Sequence, residues 1–105
     1  MGMYDTIKCF YRPLPGKAQP GIKSFQSKDL DCNLDNYQIA SDGQFLKEGK
    51  PCDYTGWLNF YTSEHKNFLL YWYEYNAKFV DGKLVQIDLE QIYSCPPGGE
   101  PTYLE

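Results

Sequence analysis

Residues able to do chemistry are few in this chain, and their spacing limits what each can do. His65 is the only histidine, set between Glu64 and Lys66 in an expected turn. A histidine serves as base for Ser or Cys only when a third group orients it and the nucleophile lies within hydrogen-bond reach. No Gly-x-Ser-x-Gly signature offers that nucleophile, so His65 reads as a surface residue. The cysteines, Cys9, Cys32, Cys52 and Cys95, are separated by 23, 20 and 43 positions with no Cys-x-x-Cys pair. That spacing argues against zinc and disulfides and for thiols packed as small hydrophobes. Asp29-x-Asp31-x-Asn33-x-Asp35 imitates the start of an EF-hand loop. However, Leu34 stands where the sharp turn needs Gly, and Ala40 where calcium needs a bidentate Glu. Asp29 and Asp31 read instead as a cap and a solvated face. A pair such as Glu74 and Asp88 does acid–base work only if its surroundings drive the two pKa values apart. The glycines form neither a Gly-x-Gly-x-x-Gly fingerprint nor a P-loop. The sequence predicts no enzyme, no cofactor and no metal.

Aromatic residues carry the remaining signal. Phe68-Leu69-Leu70-Tyr71-Trp72-Tyr73-Glu74-Tyr75 is followed by residues 79–90, with Asp81-Gly82 between two alternating runs. Asp-Gly meets the positive φ that a type I′ turn demands at both central positions, which predicts a β-hairpin. Pairing back from that turn sets Val80 against Lys83, Phe79 against Leu84 and Tyr75 against Asp88. One face then carries Phe68, Leu70 and Trp72 with Val85, Ile87 and Leu89, the expected core. The other carries Tyr71, Tyr73 and Tyr75 beside Gln86, Asp88 and Glu90. Together with Tyr61 of the preceding strand, Tyr71, Tyr73, Tyr75 and Asp88 form the expected binding surface. Tyrosine supplies large, rigid contact area at low conformational cost. The competing reading makes the same tyrosines a second core.

Size and charge narrow the partners. A chain of 105 residues is one domain. Its net charge of −4 and single Arg12 argue against nucleic acid, whose phosphates need clustered cations. A protein partner is expected. The longest apolar run, residues 68–73, is far short of the roughly 20 residues of a spanning helix. Met1 to Asp5 shows no basic n-region or apolar h-region, so the cytoplasm, with reduced thiols, is the expected compartment.

The elements that would position these residues are short strands. Residues 4–11 alternate as a first strand, and prolines and glycines interrupt residues 12–21. A short strand is predicted over 22–27 and a polar connection with one helical turn over 28–36. Ser41-Asp42-Gly43 sits in a second hairpin, and 57–62 forms a strand ending at a turn over 63–67. The fold class is mainly β: a single-domain antiparallel sandwich or small barrel built of hairpins, with at most one short helix. The domain is expected over 1–93, followed by a Pro/Gly-rich tail over 94–105.

Residues 1–8, 25–32 and 34–39 resemble a group of small uncharacterised proteins encoded by phages and prophages. The resemblance covers roughly the first 40 residues and brings no reaction, cofactor or site. It implies an accessory product in the cytoplasm of an infected bacterium, a host-takeover or anti-defence factor binding a host protein. Two other functions compete with this non-enzymatic binding module. One is a small-molecule binder or small enzyme with aromatic walls from Trp57, Tyr61 and Tyr73. The other is an assembly protein oligomerising through its strand edges.

Overall fold

The computed structural model describes residues 4–12, 14–16, 20–21, 23–30 and 35–103. Nine strands run in chain order: β1 (Asp5–Cys9), β2 (Ser24–Ser27), β3 (Asn36–Ile39), β4 (Phe45–Lys47), β5 (Lys50–Pro51), β6 (Gly56–Lys66), β7 (Leu69–Val80), β8 (Lys83–Cys95) and β9 (Thr102–Tyr103). They form one sheet in the order β5-β4-β3-β1-β2-β6-β7-β8-β9. Seven of its eight pairings are antiparallel, and β1 with β3 is parallel. The chain is an all-β single domain, as its alternation predicts. No described residue is helical, and residues 31–34, within the expected helical turn, lie outside the described residues.

The sheet curls until its two halves meet. Phe45 N–H donates to the Gly82 carbonyl (2.8 Å) and Leu84 N–H to that of Gly43 (2.9 Å), joining the start of β4 to the β7–β8 turn. The rings of Phe45 and Phe79 pack across this seam at 4.8 Å. Inside lie Ile7, Phe25, Ile39, Leu58 and Phe60, each on the inward parity of its strand. Beyond this curled body, the outer ends of β6, β7 and β8 continue as a ribbon to a turn at Asn67-Phe68. Residues 63–67 are therefore not a loop: β6 runs through His65 to Lys66.

The central hairpin keeps its predicted turn but not its predicted faces. Val80 pairs with Lys83 and Phe79 with Leu84, as read from Asp81-Gly82. Val85 then bulges from β8, so Lys78 meets Gln86 and Tyr75 meets Leu89 rather than Asp88. A second bulge at Glu90 brings Tyr73 opposite Ile92. The first bulge moves Ile87 and Leu89 to the tyrosine side, and the second keeps Ile92 there. Ile87 and Leu89 pack on the core there, and Val85 is left exposed. Tyr73 and Tyr75 are consequently core residues, 2% and 0% exposed, while Trp72 and Leu70 face outward and are only half-buried. The cause is parity: residues 71, 73, 75, 77 and 79 share one face, and Phe79 must point inward to meet Phe45.

Residues 94–103 are more than an extended tail. Ser94 and Cys95 complete β8, a turn closes with Gly99 N–H donating to Pro96 O (3.0 Å), and β9 returns along β8.

One buried group has no partner among the described residues: the Tyr75 hydroxyl. Burial pushes this phenol up to about 12, against the lowering influence of the Arg12 guanidinium. Tyr75→Phe should leave stability unchanged or raise it by about 1 kcal/mol, because an unsatisfied buried hydroxyl costs more than its removal. The pH dependence follows from the raised value. An unfolded tyrosine ionises near 10, so the contribution of neutral Tyr75 is intact below that pH and is lost as pH rises towards 12. Thermal melts of both proteins over that range check this, with Tyr75→Phe giving the shallower alkaline loss.

Candidate functional site

The outward face of the distal ribbon is where the exposed aromatic residues gather. Trp72 on β7 stacks on Tyr61 of β6 (5.2 Å, 17°) and on Tyr93 of β8 (6.2 Å, 16°), and Tyr93 meets Tyr103 of β9 edge-on (5.4 Å). The row crosses four strands because each ring stands at a cross-strand or diagonal position to the next. Beneath it, Glu74 accepts hydrogen bonds from Trp72 Nε1 (3.1 Å), Gln91 Nε2 (2.9 Å) and Asn59 Nδ2 (2.9 Å). Burial alone would raise the Glu74 carboxyl, but these three donors outweigh it and hold the group below its ordinary value. The ladder is therefore stiff. Both faces of Trp72 are covered by neighbours, so the row offers ring edges and does not provide a stacking platform for bases or sugars.

The ribbon ends in its most unusual residue. Asn67 (φ 50°) and Phe68 (φ 66°) are the two central residues of the β6–β7 turn, with Lys66 paired to Leu69. Positive φ at both positions marks a type I′ turn, whose second place favours glycine. Phenylalanine in the left-handed region is strained, and Phe68 is 92% exposed. Together with His65, Leu70, Cys95, Pro96 and Pro97 it lines a shallow cavity of about 220 Å³. Local backbone strain and full exposure of a large apolar side chain coincide at one residue.

The residues predicted as a binding surface do not stay together. Tyr73 and Tyr75 are in the core, and Tyr73 donates its hydroxyl to Glu64 Oε1 (3.0 Å). Burial first, then Glu64, raises the Tyr73 phenol well above its ordinary range. Tyr71 is half-buried on the same inner face, beneath the Lys66 ammonium at 5.9 Å. Asp88 is exposed and pairs with Asn76 on the other face, where its carboxylate accepts from Gln86 Nε2 (2.8 Å). Tyr61 alone lies on the outward ribbon face. The walls imagined for a ligand pocket also separate, since Trp57 and Tyr61 face outward and Tyr73 inward. Tyr93 and Tyr103 went unassigned, and Phe68, expected in the core with Leu70 and Trp72, stands exposed at the β6–β7 turn instead. Their signal was the alternation itself, because Leu70 and Trp72 share parity with Glu74, Asn76 and Lys78, a mixture too polar for a core strand.

Other chemistry is sparse. Cys9, Cys52 and Cys95 are free thiols, Cys9 being buried and its pKa raised by that burial. Cys32 lies outside the described residues, as do Asp31 and Asn33 of the oxygen-ligand series. Among the described residues no three His, Cys, Asp or Glu side chains cluster to hold a metal, and no helix is long and apolar enough to cross a membrane. At the opposite end from Phe68, a cavity of about 300 Å³ is lined by Tyr37, Phe45 and Tyr54 with Asp29 and Lys47 at its edge. No family model, curated protein or solved structure matches the chain.

Proposed function

We propose that the chain is a non-enzymatic protein-binding module whose recognition surface is the outward face of the distal ribbon, tipped by Phe68. The observation that carries this reading is Phe68 itself: a large apolar side chain, 92% exposed, at a turn position where glycine would be less strained. A residue that stands against both solvation and backbone preference supports a role outside folding. The aromatic ladder stiffens the arm that presents it, which reduces the ordering cost of binding. The overall charge of −4 favours a protein over a nucleic-acid partner. In the setting implied by the phage resemblance, candidate partners are proteins of the bacterial cytoplasm.

The test separates binding from folding. Phe68→Gly should keep stability or raise it by up to about 1 kcal/mol, since Asn-Gly suits the turn better than Asn-Phe. The same change should abolish capture of a defined prey from bacterial lysate. A Phe68→Gly protein that still captures the wild-type prey would end this reading. A second reading rests on the cavity lined by Tyr37, Phe45 and Tyr54, whose volume is at the lower bound for small-molecule sites. A metabolite that raises the melting temperature of the wild type but not of a Tyr54→Ala variant would favour it.

A further inference from the structure

Beyond the ribbon tip, we infer that the open edge of β8 is a second docking site, whose occupant is an extended cationic protein segment added to the sheet as one more strand. This edge is closed at both ends. Lys83 bridges to Gln44 and Leu84 N–H donates to the Gly43 carbonyl (2.9 Å), while Tyr93 and Ser94 pair with β9. Between them, over residues 85–92, no described residue bonds to the backbone on the side away from β7. Antiparallel strands turn alternate N–H and C=O groups to either side. The stretch, roughly 23 Å long at ordinary strand rise, therefore presents a row of unpaired donors and acceptors, a template for a further strand.

Charge decides the occupant. Asp88 and Glu90 stand exposed along this edge. Gln86 Nε2 donates to Asp88 (2.8 Å) and Asn76 Nδ2 to Glu90 (2.7 Å), so each carboxylate is held by a neutral amide. Among the described residues neither has a cation within ion-pair distance; Lys78 stands opposite Gln86 and reaches neither. Lysine or arginine at alternate positions of an added strand meets these carboxylates. The apolar residues between them fall on the other face, beside the half-buried Ile87 and Leu89. A second copy of this chain is the wrong occupant, because two such edges would bring uncompensated carboxylates together. The bulges at Val85 and Glu90 confine regular pairing to residues 86–89, so the edge takes a short segment and resists open-ended edge-to-edge stacking.

The probe is a capped seven-residue peptide of alternating valine and lysine, titrated with the full chain and read by fluorescence anisotropy. It should bind, and exchanging its lysines for glutamates should weaken binding by at least about tenfold. Asp88→Lys should weaken it as much while leaving the thermal melt unchanged, since Asp88 is exposed. The same peptide N-methylated along its backbone keeps every charge but loses its amide donors, and should not bind. Bound peptide should slow hydrogen exchange within residues 86–89. Phe68→Gly should bind the peptide like wild type, so failure at the ribbon tip and failure at β8 are told apart. Absence of binding to wild type, dependence on Phe68, or equal binding by the N-methylated peptide or to Asp88→Lys overturns the inference. So does protection of residues 86–89 that rises with protein concentration and no peptide, which makes a second copy the occupant.

Discussion

Tyr73→Ser should cost about 3–5 kcal/mol in urea denaturation, a large share of the 5–15 kcal/mol that stabilises a domain of this kind. Tyr73 is 2% exposed and packs opposite Ile92 in the core. Truncation removes the ring, leaves a cavity, and strips Glu64 of the hydroxyl that donates to it at 3.0 Å. Trp72→Ala is the matched comparison on the neighbouring position. Its ring is larger, but it lies on the outward face and loses only two stacking partners and one hydrogen bond to Glu74. That loss should be about 1–2 kcal/mol. Sequence alternation alone predicts the reverse order, because it assigns Trp72 to the core. If Trp72→Ala proves the more damaging, the face assignment described above is wrong.

The second large effect falls on Gly82. Its φ of +79° suits glycine, but conformational preference is the smaller part. A Cβ at this position would lie inside the van der Waals envelope of the Cys52 carbonyl oxygen, a backbone atom that cannot rotate away. The segment it would displace is the seam of the curled sheet. Gly82 N–H donates there to the Tyr54 carbonyl (2.9 Å), and the Gly82 carbonyl accepts from Phe45 N–H (2.8 Å). Gly82→Ala should therefore open the seam and cost on the order of 3 kcal/mol or more, well beyond the roughly 1 kcal/mol of an ordinary turn glycine. Gly49→Ala supplies the control, with a similar φ of +81° and nothing within 4 Å of its Cβ position. Hydrogen exchange should show the loss first at Phe45 and Leu84 N–H, the two amides that bridge the seam.

Several features of this protein follow from short-range chemistry and were accessible from the residues alone. Alternation and aromatic content set the strand-rich class, because side chains on a pleated sheet repeat every two residues whatever the fold around them. The Asp81-Gly82 turn and its first two pairs were equally local, since a type I′ turn dictates its own flanking register. The faces of the hairpin were not local. Alternation says which residues share a face, and only the neighbours of the sheet decide which face is inside. Phe45 on β4, more than 30 positions away, draws Phe79 inward, and Tyr71, Tyr73, Tyr75 and Ala77 follow by parity. The bulges at Val85 and Glu90 belong to the same long-range settlement. The first lets Ile87 and Leu89 reach the core that strict pairing would deny them, the second keeps Ile92 on that side, and no dipeptide in β8 announces either. Phe68 shows the limit most plainly. Asn67 is a turn former but Phe68 is not, and the positive φ of Phe68 is imposed by two strands whose pairing runs from Gly56↔Phe79 to Lys66↔Leu69. The turn is where the sheet requires one, and the side chain left at its tip became exposed through tertiary packing.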